Sequence, residues 1–445
     1  MPKRRLRNIG GDIEKMCGII GIYGEKVEEH RFREIRDVLS HRGPDAAGTY
    51  VDSDVPLIIG HRRLRIIDIS ENSDQPFTSE DGRYTLTYNG EIYNYREIRR
   101  ELESCGEKFS TDGDVEVVLR SFIRWGNRCV ERFEGMFAFA VWDRYEQRLT
   151  IFRDRFGVKP LYWWKDDRKF IFASEIKAIL KFLKTAPPVD FGAIANFLEL
   201  GYIPAPQTAF KNIHKLPQGH YLVVSNGRLN PKIERWWNPV DKFGARIDDD
   251  ISELEEHLEE LLIRAFERRM IADVPVGVFL SGGIDSSAVV ALLSQRHSGV
   301  RTFTIGFPEA EYDESAYARR VAEIFGTTHE EYICTADDVR DALEVLPQYF
   351  DEPFGDQSAV PTYLVATLAR KHLKVALSAE GGDEFFGGYS RYILAQKWLA
   401  VPKIFKKILS LIPKSSLERL LAKGGIEHPE NTVYGVPCVN RMEGG

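Results

Sequence analysis

The sequence has few cysteines, no long apolar run and no excess of basic charge. Its 445 residues include five cysteines, scattered without a CxxC pair, so we expect neither a zinc ribbon nor a disulfide framework. No run approaches the roughly 18 apolar residues that span a bilayer. The net charge of −7 argues against a nucleic-acid-binding surface. These absences predict a cytoplasmic protein whose partners include neither a membrane nor a nucleic acid.

Residues 1–16 form a separate N-terminal segment. They carry several lysines and arginines but lack the apolar core of a secretory signal. A disordered tail, a removable leader and translation assigned from too early a start codon all fit this composition. Met16 stands directly before Cys17, which favours the last of the three.

The rest of the chain divides into two regions. Residues 17–205 combine short β-branched and aromatic runs with a helical pattern, which predicts a layered α+β domain. The strand-like runs are 84–88, 137–142 and 169–173, and the helical pattern covers 114–122. Residues 206–250 begin in a proline- and glycine-punctuated stretch and are expected to supply a linker and closing strands.

Residues 251–445 alternate helical and strand patterns. The predicted elements are a helix at 252–270 and strands at 276–280, 301–307 and 374–377. This alternation predicts an α/β domain with a doubly wound parallel sheet. In such a sheet the ligand sites lie at the carboxyl ends of the strands.

A glycine loop follows the first of these strands. Ser281, Gly282 and Gly283 allow the backbone to approach phosphate oxygens, at the start of a helix whose N-terminus favours anions. Asp285 adds a carboxylate that suits Mg²⁺. The loop lacks the Gly-Lys-Ser/Thr ending of a Walker A motif, so no lysine is offered there to a γ-phosphate. The loop looks built to split ATP between its α and β phosphates.

A second cluster follows the strand at 374–377. It places three carboxylates among glycines, at positions 380, 383 and 384. Asp383 is a candidate second Mg²⁺ ligand, and Glu380 is a candidate general base.

The first region offers a nucleophile. A cysteine at an amino terminus has a base of its own, because the α-amine has a pKa of about 7.7–8.0. Cys17 gains that base only if it becomes the first residue. Asn89 and Gly90 could hold an oxyanion, and Arg63 could bind an α-carboxylate in a forked geometry. Glu91 and Asp114 could accept hydrogen bonds from an α-ammonium group.

Several motifs together indicate a family. They are CGIIG at 17–21, HRGPD at 41–45, Arg63-Leu64, NGEIYN at 89–94, GMFAF at 135–139, RDRFG at 153–157, SGGIDSS at 281–287 and GGDE at 381–384. With them, residues 16 to about 400 resemble the glutamine-hydrolysing asparagine synthetase family. The resemblance implies an αββα N-terminal-nucleophile hydrolase sandwich, which is a class II glutamine amidotransferase, followed by an adenine nucleotide α-hydrolase domain of the PP-loop type.

The resemblance also implies roles. Cys17 would release ammonia from glutamine, and the ammonia would pass through an internal tunnel to a site where aspartate and Mg-ATP form β-aspartyl-AMP, the precursor of asparagine. The glutamine-site residues would be Arg63, Leu64, Arg65, Ile66, Ile67, Asn89, Gly90, Glu91 and Asp114. The nucleotide-site residues would be Phe279, Leu280, Ser281, Gly282, Gly283, Asp285, Ser286, Ser287, Ile305, Ser378 and Ala379. Mg²⁺ would bind Asp285 and Asp383, Glu380 would be the base for ammonia, and a homodimer is compatible with the family.

The chain departs from the family pattern at three places. The segment ahead of Cys17 would block its α-amine if it were retained. Ala379 stands where the family usually has glycine, and alanine would cost about 1 kcal/mol if that position required a positive φ. The chain ends at Gly445, whereas relatives usually continue, so the second domain is expected to be short at its C-terminus. Two alternatives therefore stay open: the same chemistry on another carboxylate, and a non-catalytic relative that binds nucleotide or glutamine.

Overall fold

The computed structural model describes residues 16–225, 228–242 and 250–402. These residues fall into two compact units, one ending at Leu377 and the other beginning at Ser378. Residues 1–15 of the predicted leader and the C-terminal residues 403–445 lie outside the described part of the chain.

The described residues up to 242 build two antiparallel sheets of six strands each. One sheet has the strand order β10-β8-β9-β1-β3-β2 and the other β12-β11-β7-β6-β5-β4. The elements are β1 (Gly18–Tyr23), α1 (Glu29–Arg36), β2 (Ala46–Val51), β3 (Leu57–Arg63), β4 (Phe77–Thr78), β5 (Tyr84–Ile92), α2 (Tyr95–Ser104), α3 (Asp114–Trp125), α4 (Cys129–Arg132), β6 (Gly135–Asp143), β7 (Arg148–Arg153), β8 (Tyr162–Lys165), β9 (Phe170–Ala173), α5 (Ile176–Leu183), α6 (Phe191–Leu200), β10 (Ile213–Lys215), β11 (His220–Ser225) and β12 (Arg228–Arg235).

The two sheets are central layers between helices. Side chains of β1 and β3 share one apolar core with side chains of β6 and β7, so this core lies between the sheets. Helices α1 and α5 pack on the outer face of the first sheet. Helices α2 and α3 pack on the outer face of the second sheet. The result is the predicted αββα sandwich, which is confirmed.

Strand β6 shows how the sequence produces this layering. Alternate residues of a strand point to opposite faces. Phe137 and Phe139 pack towards α2 and α3, while Ala138, Ala140 and Trp142 pack between the sheets. A strand covered on both faces needs apolar residues at every position, which explains why this run shows no polar alternation.

The later part of the chain carries a parallel sheet with the order β15-β14-β13-β16. Its strands pair in parallel register throughout, as predicted. The elements are α7 (Ile251–Arg269), β13 (Val276–Phe279), α8 (Ile284–Ser294), β14 (Arg301–Gly306), α9 (Ser315–Phe325), β15 (Thr328–Ile333), α10 (Ala336–Tyr349), α11 (Ala359–Ala369), β16 (Val375–Leu377), α12 (Gly382–Phe386) and α13 (Ser390–Ala400). None of the helices in the described ranges is both long enough and apolar enough to cross a bilayer.

Candidate active site

A pocket lies beside Cys17, the residue that precedes β1. Its walls come from β3, β5, the start of α3 and the loop between β7 and β8. The lining residues are Met16, Cys17, Arg63, Leu64, Ile66, Ile67, Gln75, Tyr88, Asn89, Gly90, Glu91, Asp114, Val115 and Lys159. The structure therefore brings together the predicted glutamine-site residues, with the exception of Arg65.

The Cys17 thiol is held at the pocket wall by backbone contacts. Its Sγ accepts a hydrogen bond from the backbone N–H of Leu64 at 3.4 Å. The Nε of Arg42 donates to the Cys17 carbonyl at 3.1 Å, which fixes the backbone from the other side. Burial raises the pKa of the Cys17 thiol to about 11, against the opposing effects of the Leu64 contact and the Arg63 and Lys159 charges. The thiol therefore needs a nearby base or cation to react near neutral pH.

An amide donor and a close-packed glycine lie in the same pocket. The sequence predicted that Asn89 and Gly90 follow a strand ending at Tyr88, and this boundary was wrong, because β5 continues to Ile92 in register with β6. Asn89 is 1% exposed, and its Nδ2 has no hydrogen-bond partner among the described residues. A Cβ on Gly90 would come within 2.3 Å of the Met136 carbonyl oxygen, so only glycine fits there.

Two buried carboxylates face this pocket with different surroundings. Asp114 begins α3, and its Oδ2 accepts hydrogen bonds from the Tyr88 hydroxyl at 2.7 Å and the Ile92 N–H at 3.1 Å. Glu91 accepts no hydrogen bond within the described ranges of the chain. Burial raises the pKa of Glu91 to about 7, although the Lys159 ammonium opposes that shift.

The Arg63 guanidinium lies in the pocket wall with several protein partners. Its Nη1 donates to Asp74 Oδ1 at 2.5 Å and to the Ser70 carbonyl at 2.7 Å, and its Nη2 donates to the Asp68 carbonyl at 2.5 Å. Asp74 also accepts from Arg65 Nη2 at 2.8 Å, which holds Arg65 on this carboxylate. Binding a substrate carboxylate at Arg63 would require some of these bonds to be exchanged, and the predicted role stays a prediction.

The predicted phosphate loop follows β13 and leads into α8. Gly282 has a φ of +85°, and a Cβ there would lie 2.6 Å from the Ala318 nitrogen. The loop is braced by Ser286, whose Oγ accepts from the Ser281 N–H at 3.2 Å. No side chain caps the N-terminus of α8, and the buried Ser287 Oγ has no partner in the described ranges. These free donors suit phosphate oxygens.

The other predicted nucleotide-site residues follow neighbouring strands. Ile305 lies near the carboxyl end of β14, which pairs with β13, and Ser378 follows β16, which pairs with β13 on its other side. The described non-glycine residues with positive φ do not include Ala379, so the condition under which alanine would cause strain there is not met. Gly381 takes the left-handed conformation instead, with a φ of +97°.

Two candidate Mg²⁺ ligands lie at the starts of helices. Asp285 is in the first turn of α8, and Asp383 is in the first turn of α12. The residues described here contain no group of three or more histidine, cysteine or carboxylate side chains placed to hold a metal. One or two carboxylates fit Mg²⁺ when it is bound together with phosphates, because the phosphates supply the remaining oxygens.

Comparison with known proteins finds two matching domain models. A glutamine amidotransferase domain model matches residues 16–237, and an asparagine synthase model matches residues 257–428. A protein of Methanocaldococcus jannaschii, provisionally named asparagine synthetase (glutamine-hydrolyzing) 2, is 36% identical over 423 residues, which cover 89% of this chain and 81% of that protein. The chain belongs to the glutamine-hydrolysing asparagine synthetase family.

Two further relatives are longer than this chain, and one of them has a different kind of name. Asparagine synthetase (glutamine-hydrolyzing) 1 of Bacillus subtilis is 32% identical over 424 residues, which cover 93% of this chain and 65% of that protein. A relative of Gibberella zeae named amidase chry2 is 32% identical over 376 residues, which cover 80% of this chain and 55% of that protein. The chain thus spans less than two thirds of the length of these two relatives.

Sequence reasoning within the family missed five residues of the pocket. They are Met16, Gln75, Tyr88, Val115 and Lys159. The Gln75 amide accepts from the Tyr88 N–H at 2.7 Å and donates to the Tyr88 carbonyl at 3.2 Å, in the way that a neighbouring strand would. Tyr88 and Val115 are direct neighbours of predicted residues, and Lys159 closely follows the RDRFG motif, so sequence position was an available signal for these three.

Proposed function

We propose that the protein makes asparagine from aspartate, with glutamine as nitrogen donor and with ATP cleaved to AMP and pyrophosphate. Membership of the family supports this reaction. The two predicted chemistries occupy separate regions of the chain, the nucleophile pocket beside β1 and the glycine loop after β13. We further propose Mg²⁺ as the metal, a cytoplasmic location and a homodimer.

The observation that carries the glutamine half is the unpartnered amide of Asn89. A buried N–H donor without an acceptor costs about 1–3 kcal/mol, so a fold retains one where a ligand supplies the acceptor. The pocket places this donor with a cysteine, as stabilisation of a tetrahedral oxyanion requires. Glu91 and Asp114 offer carboxylates to the α-ammonium group of glutamine, and Arg63 offers a cation to its carboxylate.

The proposed chemistry at Cys17 forms and breaks one bond in each step. The α-amine of Cys17, free once the preceding residues are removed, takes the thiol proton. The sulfur then attacks the carboxamide carbon of glutamine, and Asn89 and Gly90 hold the resulting oxyanion. When the C–N bond breaks, the amine returns the proton and ammonia leaves. Water then hydrolyses the thioester to glutamate and restores the thiol.

The proposed chemistry after β13 uses anion-binding groups of the loop. The backbone N–H groups of Gly282 and Gly283 and the start of α8 would hold the phosphates that leave as pyrophosphate. Mg²⁺, bound through Asp285 and Asp383, would offset phosphate charge. The aspartate carboxylate attacks the α-phosphate, ammonia displaces AMP from the acyl adenylate, and Glu380 takes the proton that ammonia loses.

The test follows the amide nitrogen. Purified protein is incubated with amide-¹⁵N-glutamine, aspartate and Mg-ATP, and the products are measured by mass spectrometry. Labelled asparagine with an equal amount of AMP is the expected result. The Cys17→Ala variant should lose this reaction yet retain synthesis from ammonium, since the two sites are separate. Loss of both activities in a folded Cys17→Ala protein would contradict the proposal of separate sites.

A second candidate is the same chemistry on a different carboxylate. It is favoured by the relative named amidase chry2, which shows that family members of similar identity do not all carry the synthetase name. Labelled ammonia from glutamine, with AMP formed only when another carboxylic acid replaces aspartate, would support this candidate. ATP binding without any turnover would support the non-catalytic alternative.

A further inference from the structure

Lys159 is fixed in the pocket wall by a rigid loop. The Asp154 carboxylate accepts four backbone N–H bonds, from Phe137, Phe156, Val158 and Lys159, at 3.0–3.2 Å. The Nε of Arg153 donates to the Lys159 carbonyl at 3.0 Å. The backbone N–H and the backbone carbonyl of Lys159 are therefore both held by hydrogen bonds, and the residue is only 5% exposed.

The ammonium group of Lys159 lies beside the residue that precedes the nucleophile. Its Nζ is 2.9 Å from Met16 Sδ, and none of the described carboxylates forms an ion pair with it within 4.0 Å. Burying an ammonium without an ion pair is costly, so its retention calls for a role. Burial lowers the pKa of Lys159, and the charges of Glu91 and Cys17 oppose that shift.

The charges around the Cys17 thiol are of both signs. They come from five different parts of the fold. The groups are Arg42 after α1, Arg63 on β3, Glu91 on β5, Asp114 on α3 and Lys159 before β8. The two arginines already have protein acceptors, Arg42 at the Glu175 carboxylate and Arg63 at Asp74. Lys159 is the cation among these five that no described carboxylate neutralises at hydrogen-bond distance.

We infer that Lys159 is a positioning residue for the nucleophile, whose buried ammonium stabilises the thiolate of Cys17 over the thiol. The inference rests on the proposed function, because only that function makes Cys17 a nucleophile. The protonation state of the thiol can nevertheless be measured without glutamine. A unit charge beside a thiol in the wall of the same pocket changes the titration midpoint of that thiol by on the order of one pH unit.

The experiment measures the rate of alkylation of Cys17 by iodoacetamide between pH 7 and pH 12 in the full chain, a range that includes the thiol pKa of about 11. The modified peptide is quantified by mass spectrometry, so the other cysteines do not interfere. The variants are Lys159→Met and Lys159→Gln, which remove the charge, and Lys159→Arg, which keeps it. Lys232→Met is the matched control, because Lys232 is an exposed lysine on β12 that pairs with Glu234.

The charge-free variants should shift the alkylation midpoint upwards by about one pH unit, a roughly tenfold slower reaction at pH 7. Lys159→Arg should restore most of the reactivity, and Lys232→Met should match the parent. Asp114→Asn should shift the midpoint in the opposite direction, because it removes a negative charge near the thiol. Unchanged midpoints in folded Lys159→Met and Lys159→Gln would overturn the inference.

Glutaminase activity separates this inference from the proposed function. The acid limb of the pH profile of kcat/KM should move with the alkylation midpoint in Lys159→Met. A raised KM for glutamine with unchanged alkylation and an unchanged pH profile would make Lys159 a substrate ligand and overturn the positioning role. If the parent, with Cys17 verified by mass spectrometry as its first residue, alkylates as expected but hydrolyses no glutamine, the proposed function fails and the inference on the thiol stands.

Discussion

Replacing Glu91 with glutamine should stabilise the protein at alkaline pH. Glu91 is 9% exposed, and its carboxylate accepts no hydrogen bond within the described ranges. Burial raises its pKa from 4.5 to about 7 in the folded state. Between these two values the unfolded chain ionises Glu91 while the folded chain keeps it protonated. The folded state therefore loses stability as the pH rises through this window.

The size of the effect follows from the two pKa values. Each unit of difference corresponds to about 1.4 kcal/mol, and the free energy of unfolding should fall by about 2.5 kcal/mol between pH 5 and pH 8 through this group. Glu91→Gln has no ionisation at this position. The difference in unfolding free energy between variant and parent should therefore grow by that amount over the same interval.

Urea denaturation from pH 5 to pH 8 measures this difference. Glu116→Gln is the matched control, because Glu116 is also a buried glutamate, at 2% exposure. Burial would raise the pKa of Glu116, but hydrogen bonds from Ser110, Arg120 and Thr111 outweigh it and hold the pKa below its usual value. Glu116 is therefore ionised in both the folded and the unfolded chain between pH 5 and pH 8, so Glu116→Gln should destabilise the protein by an amount that hardly changes over this interval.

A pH-independent difference between Glu91→Gln and the parent would refute this reasoning. It would mean that the folded protein ionises Glu91 as readily as the unfolded chain does. The same variant should raise the KM for glutamine, because it removes a proposed ligand of the α-ammonium group. In the parent that KM should fall as the pH rises through 7, where the carboxylate forms.

Other substitutions test the fold around each site. Gly282→Ala should abolish ATP-dependent synthesis and spare glutaminase activity, because the positive φ and the 2.6 Å approach to the Ala318 nitrogen exclude a Cβ; an active variant would contradict this. Asp273→Ala should raise the KM for glutamine up to about fivefold without changing ammonium-driven synthesis. The reason is that the Asp273 carboxylate accepts a hydrogen bond from the Asp68 N–H at 2.7 Å beside the pocket. Equal effects on glutamine-driven and ammonium-driven synthesis would count against this prediction. Asp154→Asn should lower the free energy of unfolding by about 3 kcal/mol. The carboxylate accepts hydrogen bonds from the backbone N–H groups with two oxygens, whereas an amide has only one oxygen that can accept. A denaturation midpoint equal to that of the parent would contradict this prediction.

The sequence determined the class of each domain because the relevant signals are local. The apolar run of β6 and the helix–strand alternation after residue 250 follow from side-chain periods of 2 and 3.6, which neighbouring residues display by themselves. Cys17 and the loop at 281–287 were also recognisable, since their chemistry depends on a few adjacent residues.

Tertiary structure decided which side chains come into contact and which protonation states they take. The end of β5 was mispredicted because the strand continues as long as β6 pairs with it. The extent of that pairing cannot be predicted from the sequence of either strand alone. Asp74 holds Arg63, and the loop anchored by Asp154 carries Lys159 into the pocket. The raised pKa of Glu91 depends on burial by distant elements. Charge and desolvation act through space, so residues far apart in sequence set the chemistry of a pocket whose motifs the sequence alone reveals.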